Sequence, residues 1–247
     1  MAATSSSDSP PATKQRREFN AYFMRQFVIS DIHGCHRTLL QLLDTLAFST
    51  ADELYLLGDY VDRGPDSKGV IDRIGSLRSQ GYRIHCLRGN HEEMMIDARR
   101  QPSQLAFWYR QGGAETLASF HCQHPRDIDD RYWNFLDQLP HFFEVGRYLL
   151  VHAGFNFRAT DPLEDYQSML WIRNWHQQID KEWLADRIIV HGHTPTPRKN
   201  IEWLADRMDD FRVMTVDNGC VYRGRDLGAL CGLELHSHRV YFQQSVE

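Results

Sequence analysis

The sequence predicts two β-sheets packed against each other and flanked by helices. In its first half, short apolar runs alternate with helical repeats, which is the pattern of parallel strands joined by crossover helices. From Phe142 onward the pattern changes to further apolar runs with strand character. With 247 residues and 42% hydrophobic side chains, the chain is long enough for one large domain with a sizeable core.

Residues 1–22 are expected to form a flexible tail ahead of a folded domain over residues 23–247. The tail is rich in Ser, Thr, Ala and Pro and carries a basic cluster, Lys14-Gln15-Arg16-Arg17. Such a composition buries too little apolar surface to order itself. The cluster is either an address or docking patch or, as is commoner for such tracts, part of a solubilising tail.

Three strands, each followed by a helix, are predicted in the first half of the domain. The strands are expected at residues 26–29, 53–57 and 82–87, and the helices at residues 39–46, 70–77 and 92–100. Ligands of open α/β sheets bind beside the carboxyl ends of parallel strands. Functional side chains are therefore expected just after these three strands.

The second half is predicted to supply the second sheet. A helical, aromatic stretch over residues 101–140 comes first. Strands are then expected at residues 148–151, 187–190, 213–216, 230–235 and 239–242, the last two forming a hairpin. The hexapeptide Glu-Trp-Leu-Ala-Asp-Arg occurs twice, at residues 182–187 and 202–207, and each copy precedes a predicted strand. Two copies are too few for a repeat architecture.

Charge and composition argue against several classes of partner. The net charge of −5 and the pI of about 6.2 give no electrostatic footprint for nucleic acid. No apolar run approaches the roughly 20 residues of a membrane helix, and no secretory signal is evident. Five cysteines without a CxxC pair indicate free thiols in a reducing compartment. We therefore expect a cytoplasmic monomer.

Five short segments place an acid, a histidine or an asparagine where a predicted strand ends. They are Ser30-Asp31-Ile32-His33-Gly34, Gly58-Asp59-Tyr60-Val61-Asp62-Arg63-Gly64, Gly89-Asn90-His91-Glu92, His152-Ala153-Gly154 and Gly192-His193-Thr194-Pro195. Their oxygen and nitrogen donors suit two divalent cations held side by side. Paired metals about 3.5–4 Å apart recur in enzymes that catalyse in-line attack on phosphorus. The sequence therefore predicts a binuclear metal site.

This set of motifs resembles the phosphoprotein phosphatase family of serine/threonine phosphatases, and especially its small bacterial and phage members. The resemblance covers residues 25–243 or so and extends to matches at 112–117, 171–173 and 217–219. It places the chain among the calcineurin-like metallophosphoesterases. It implies an α+β fold, a four-layer α/β/β/α sandwich of two mixed sheets, with the catalytic domain at residues 23–247.

The resemblance also implies which residues hold the metals. Asp31 and His33 would hold one ion, Asp59 would bridge, and the second ion would take Asn90, His152 and His193. Manganese is expected, with iron or zinc as alternatives. His191 is a neighbouring histidine, but the match to Gly-His-Thr-Pro makes His193 the ligand. Ser30 departs from the glycine that the family usually has there, without removing a ligand.

In the implied mechanism, a hydroxide bridging the metals attacks phosphorus in line. His91 would be the general acid that protonates the leaving alkoxide, and Asp62 would orient it. Arg63 and Arg173 would clamp the phosphate oxygens, because guanidinium matches their geometry with paired hydrogen bonds. Arg88 is a weaker candidate with a structural alternative.

The function that follows is metal-dependent hydrolysis of phosphomonoesters, with a phosphoprotein or phosphopeptide as substrate. The nearest alternative is a symmetrical dinucleoside tetraphosphate hydrolase, or another small-molecule phosphatase, on the same scaffold. Asp62, Arg63 and Glu92 favour the protein phosphatase. A nuclease or phosphodiesterase of the wider group would typically end in Gly-His-x-His, where this chain has Pro195. A non-catalytic binding module is disfavoured because every predicted ligand and the acid are retained.

Overall fold

The computed structural model describes residues 24–224 and 226–247. The predicted tail and its basic cluster lie outside these residues. The strands are β1 Gln26–Ile29, β2 Glu53–Leu56, β3 Arg83–Cys86, β4 Phe142–Val145, β5 Tyr148–Val151, β6 Ile188–His191, β7 Val213–Thr215, β8 Ala229–Glu234 and β9 Val240–Gln244. The helices are α1 His36–Thr45, α2 Ser67–Ser79, α3 Asn90–Arg100, α4 Leu105–Trp108, α5 Ala114–Ser119, α6 Asp130–Asp137, α7 Tyr166–Trp171, α8 Lys181–Leu184, α9 Arg198–Ala205 and α10 Met208–Phe211.

Within the described residues the strands form two mixed sheets. The first has the order β3-β2-β1-β8-β9, in which β1, β2 and β3 run parallel and β8 pairs antiparallel with both β1 and β9. The second has the order β4-β5-β6-β7, in which only the β4–β5 pair is antiparallel. The predicted pair of sheets is confirmed.

Alternating side chains along the strands separate the apolar interior into layers. In β1, Phe27 and Ile29 pack towards helices α1 to α6, whereas Val28 packs between the two sheets. In β5, Leu150 also lies between the sheets, while Leu149 and Val151 face the side of α7 and α8. Because side chains of a strand alternate between faces, this division produces helices, sheet, sheet and helices in that order.

The C-terminal hairpin differs from the prediction. Strands β8 and β9 join the first sheet beside β1, with Val28 opposite Leu233, and do not extend the second sheet. Strand β4, which we did not predict as a separate element, takes the edge of the second sheet beside β5. All six residues of β8 are buried, so it is covered on both faces and fits the centre of either sheet by composition.

None of the helices in the described residues is both long and apolar enough to span a membrane. The five cysteines are free thiols, four of them buried and Cys122 half-buried.

Candidate active site

The five predicted segments meet at one edge of the two sheets. Asp31 and His33 follow β1, Asp59 follows β2 and Asn90 follows β3. From the second sheet, His152 follows β5 and His193 follows β6. All six side chains are buried. The carboxyl ends of strands in both sheets therefore deliver polar side chains to a single point in the interior.

Asp59 lies at the centre of the site and belongs to two groups of possible metal ligands. Its Oδ2 atom is 3.4 Å from His33 Nε2 and 4.0 Å from His91 Nε2. Its Oδ1 atom is 3.5 Å from His152 Nε2, which in turn is 3.2 Å from His193 Nδ1. The two oxygens of one carboxylate thus face two separate sets of nitrogen donors, which is the arrangement a bridging ligand requires.

The protonation pattern of the histidines fits cation binding. His33 Nδ1 is 2.9 Å from the carbonyl of Val61, and His152 Nδ1 is 2.9 Å from the carbonyl of Leu57. Since a carbonyl only accepts, both rings carry their proton on Nδ1 and turn the lone pair of Nε2 into the site. The Nε2 atom of His152 then faces Asn90 Oδ1 at 2.9 Å, so two acceptors meet without a proton between them. A cation bound by both His152 Nε2 and Asn90 Oδ1 would stabilise this arrangement.

The pKa shifts of these side chains also fit cation binding. Burial lowers the pKa of His33, His152 and His193, in the last case to about 2. Burial and the neighbouring carboxylate of Asp31 raise the pKa of Asp59 well above its usual range. Neutral imidazoles and an unfavourably buried carboxylate are what a divalent cation would convert into ligands. The donor set therefore fits two metal ions.

Asp31 lies at the same edge but outside the two groups built around Asp59. Its Oδ2 atom accepts hydrogen bonds from the Ser30 hydroxyl and, at 2.9 Å, from the backbone N–H of His193. A Cβ atom at Gly192 would overlap both the Ser30 hydroxyl and this carboxylate oxygen. Gly192 therefore makes the space that the serine at position 30 uses.

Glu92 holds the Asp59 loop in place, a role that the sequence analysis did not identify. Its buried carboxylate accepts four backbone N–H groups. The donors are Asp59 at 2.8 Å, Tyr60 at 2.8 Å, Val61 at 3.3 Å and Gly89 at 2.9 Å. Because Gly89 is the N-cap residue of α3 and Glu92 is its third helical residue, the bond to the Gly89 N–H also caps the start of that helix. The signal in the sequence was a glutamate three residues after Gly89, the spacing at which its side chain reaches back to the N-cap N–H.

His91 forms a buried pair with Asp62 beside the donor groups. Its Nδ1 atom is 2.7 Å from Asp62 Oδ2, so its Nε2 atom faces Asp59 and the cleft. Burial raises the pKa of Asp62 to about 8, against hydrogen bonds that favour the ionised form. Burial and the nearby charge of Arg63 lower the pKa of His91 well below its usual range.

A cleft of about 170 Å³ opens onto this pair and the donor groups. Arg63 and Arg173 both line it, as the sequence analysis expected for phosphate-binding residues. Arg63 Nη1 lies 2.7 Å from His33 Nε2, and Arg173 Nη1 donates to the Thr194 hydroxyl at 3.1 Å. Both guanidinium groups are thus within reach of a ligand in the cleft.

Several lining residues had no assigned role in the sequence analysis, among them Asp217, Gln111 and Tyr222. Asp217 is buried after β7, and burial together with Asp31 raises its pKa well above its usual range. Tyr222 is 43% exposed. For Asp217 the Asp-Asn-Gly motif was a usable signal. Gln111 and Tyr222 offered none, because only the tertiary fold brings their loops to the cleft.

Two further residues considered in the sequence analysis lie outside the donor groups. His191 is buried with its Nε2 atom 3.0 Å from His176 Nε2, and His193 occupies the position beside His152. Arg88 pairs with Glu93 at 2.8 Å and donates to the carbonyls of Leu136 and Asp137. These contacts give Arg88 a structural role in joining α3 to α6.

Comparison with known proteins identifies the family to which this geometry belongs. The family model for calcineurin-like phosphoesterases matches residues 24–223. The curated serine/threonine-protein phosphatase 1 of Salmonella typhimurium is 28% identical over 219 residues, which cover 81% of this chain and 88% of that protein. A symmetrical bis(5'-nucleosyl)-tetraphosphatase of Nitrosomonas europaea is 35% identical, but only over 135 residues, or 53% of this chain and 45% of that protein.

Solved structures show the same fold at lower identity. A cold-active protein tyrosine phosphatase superposes with a TM-score of 0.58 at 18% identity, over 89% of this chain and 78% of that one. A serine/threonine phosphatase from Saccharomyces cerevisiae superposes with a TM-score of 0.57 at 17% identity, over 91% of this chain and 81% of that one. At these identities the likeness establishes the fold alone.

Proposed function

Because the chain belongs to the calcineurin-like phosphoesterase family, we propose that it is a metal-dependent phosphomonoester hydrolase acting as a serine/threonine protein phosphatase. The observation that carries this proposal is the buried His91–Asp62 pair, which faces Asp59 in a cleft of about 170 Å³. Arg63 and Arg173 line the same cleft, so a phosphoryl group that reaches this pair also meets two guanidinium groups.

In this proposal Asp31, His33 and Asp59 would hold one metal ion, and Asp59, Asn90, His152 and His193 would hold the second. Manganese is the expected metal, because mixed oxygen and nitrogen donors of this kind accept it, as they do iron and zinc. When bound, two such ions would activate a water molecule and neutralise charge on the phosphoryl oxygens.

The protein's own side chains then handle the leaving group. His91 Nε2 faces the cleft and gives a proton to the departing serine or threonine oxygen, which would otherwise leave as an unfavourable alkoxide. Asp62 keeps the imidazole ring oriented through Nδ1. Because burial raises the pKa of Asp62 to about 8, the pair retains a proton between Asp62 and Nδ1 at neutral pH, so that the ring carries its other proton on Nε2. Arg63 and Arg173, which both line the cleft, bind the non-bridging phosphate oxygens.

Among the curated relatives, the extent of the sequence alignment supports a protein phosphatase. The alignment with the Salmonella phosphatase runs over 88% of that protein, whereas this chain matches less than half of the Nitrosomonas tetraphosphatase. The higher local identity to the tetraphosphatase keeps hydrolysis of dinucleoside tetraphosphates as the second candidate.

A substrate panel tests the proposal. Purified protein would be incubated with Mn²⁺ and, in separate reactions, with phosphoserine, phosphothreonine and phosphotyrosine peptides, diadenosine tetraphosphate and a phosphodiester. We expect phosphate release from the phosphoserine and phosphothreonine peptides to have the highest kcat/KM. A higher kcat/KM for diadenosine tetraphosphate would replace the proposal with the second candidate.

The acid role of His91 has a separate test. Replacing His91→Asn is expected to lower kcat on an alkyl phosphate such as a phosphoserine peptide by about 10²–10⁴. The loss on 4-nitrophenyl phosphate should be much smaller, because a good leaving group needs little protonation. Equal losses on both substrates would show that His91 does not protonate the leaving group.

A further inference from the structure

The segment 105–119 contacts the loop after β2 where that loop carries Asp62 and Arg63. It consists of α4, a kinked turn over Tyr109–Gly113, and α5. Its central residues, 112–117, are among the motifs that resemble the phosphatase family, and that resemblance implies no role for them.

We propose that Thr116 and Trp108 are positioning residues for leaving-group protonation, because they hold the Asp62 carboxylate in the orientation that aligns His91. The inference rests on the proposed function. It assigns the segment 105–119 a part in the reaction, although none of its residues is expected to bind the metals or to donate the proton to the leaving group.

The hydrogen bonds around Asp62 leave its carboxylate one orientation. Thr116 donates its hydroxyl to Asp62 Oδ1 at 2.7 Å and accepts the backbone N–H of Asp62 at 2.8 Å. The indole N–H of Trp108 is 3.0 Å from both carboxylate oxygens. Oδ2 is then free to accept from His91 Nδ1 at 2.7 Å. Trp108, Thr116 and Asp62 each have 0% exposure, so water does not compete for these bonds.

Without these donors the carboxylate would lose its alignment. The terminal torsion of an aspartate is broad and roughly two-fold, so geometry at Asp62 alone does not select one rotation. The donors also satisfy carboxyl oxygens that are fully buried and that water does not reach. Removing one of them therefore leaves a buried oxygen without its partner and disturbs the direction of the His91 ring.

Two glycines bring the segment close enough to make these bonds. Gly112 has φ of 111°, and a Cβ atom there would overlap the backbone of Arg63, whose N–H donates to the Gly112 carbonyl at 3.3 Å. A Cβ atom at Gly113 would overlap the ring of Trp108. The motif Gly-Gly-x-x-Thr thus combines close approach with the hydroxyl that reaches Asp62.

The test compares Thr116→Val, which keeps the shape but lacks the hydroxyl, with Thr116→Ser, which keeps the hydroxyl. With the Mn²⁺-loaded protein, kcat and KM would be measured on a phosphoserine peptide and on 4-nitrophenyl phosphate. We expect Thr116→Val to lower kcat on the peptide about tenfold or more, which is part of the rate enhancement that the general acid supplies. KM should stay within about twofold of the wild-type value. The aryl phosphate should lose less than about threefold, and Thr116→Ser should restore the peptide rate.

Trp108→Phe is the second variant and is expected to show the same substrate dependence. Its matched control is Trp133→Phe, which removes a buried indole hydrogen bond of 3.1 Å to the Ile128 carbonyl, away from the site. Because a positioning residue acts through His91, adding Thr116→Val to His91→Asn should cause no further loss on the peptide.

Several outcomes would overturn the inference. These are equal losses on both substrates, no loss in Thr116→Val, or additive losses in the double variant. Should Thr116→Val fail to fold, the same criteria apply to Trp108→Phe against its control. Failure of the proposed function is distinguishable, because the wild-type protein would then lack phosphopeptide activity or His91→Asn would itself show no dependence on the leaving group.

Discussion

Replacing Glu92→Gln should destabilise the protein strongly, although the two side chains have nearly the same shape. The carboxylate accepts two backbone N–H groups on each oxygen: Tyr60 and Val61 on Oε1, Asp59 and Gly89 on Oε2. An amide keeps one oxygen and turns its NH₂ group towards the other two donors. Two buried N–H groups therefore lose their acceptor.

The magnitude follows from those two groups. A buried donor left without a partner costs about 1–3 kcal/mol, so the expected loss is about 2–6 kcal/mol in the free energy of unfolding. This is a large share of the roughly 5–15 kcal/mol that a native domain has in total. Because Asp59 is one of the residues released, bound metal per chain should fall as well.

Chemical denaturation, followed by fluorescence in the presence of a chelator, measures this loss without a contribution from bound metal. The matched control is Glu93→Gln, whose partly exposed carboxylate pairs with Arg88 at 2.8 Å and should contribute less than about 1 kcal/mol. Metal content is measured separately on metal-loaded protein. A Glu92→Gln variant within 1 kcal/mol of the wild type would refute the reasoning.

Two further predictions concern Gly192 and Asp52. Gly192→Ala should lower metal content and activity, because the new Cβ atom would overlap the Ser30 hydroxyl and Asp31 Oδ2. Adding Ser30→Gly should recover part of the loss. Elemental analysis of the purified variants would check both expectations. Asp52→Asn should lower the free energy of unfolding at pH 7 by about 1–3 kcal/mol. The Asp52 carboxylate accepts two hydrogen bonds from Arg25, at 2.9 and 2.8 Å, and two from Ser49, and the amide would not accept all of them. Burial raises the pKa of Asp52, but these bonds outweigh it and hold that pKa below its ordinary 3.8. The stabilisation is therefore present above that pH and is lost as the pH falls through the lowered pKa, so urea titrations should show the variant and the wild type converging in acid.

The sequence predicted the elements that carry the site well, because their signals are local. Short segments of four to six residues with strand character identified β1, β2 and β3, and the polar residues that follow them fall at the carboxyl ends of those strands. Parallel pairing then brings these ends together without further information. Prediction of the candidate site from sequence succeeded to this extent because register and strand direction already determine where the side chains meet.

What the sequence left open depends on contacts between distant segments. Strand β8 is buried on both faces, so only its pairing with β1 determines its sheet. The repeated hexapeptide shows the same limit. In its first copy the helix ends at Leu184 and Ala185 has φ of 54°, whereas in the second the helix continues through Ala205. The contact between Thr116 and Asp62 spans 54 residues and has no local signature.

Backbone strain explains why these distant contacts matter to the site. Six of its non-glycine residues have φ between 47° and 71°, namely Asp31, His33, Asp59, Asp62, Arg63 and His193. Left-handed backbone at residues with a side chain costs of order 1 kcal/mol each and persists only when the surroundings impose it. Glu92 imposes it on the loop of Asp59, and the segment 105–119 imposes it on Asp62 and Arg63 through Thr116 and the Gly112 carbonyl. Side chains outside the metal site therefore determine whether the donor atoms converge. A substitution at Glu92, which holds the Asp59 loop, should weaken metal binding, whereas a substitution at Thr116, which holds Asp62, should weaken proton transfer.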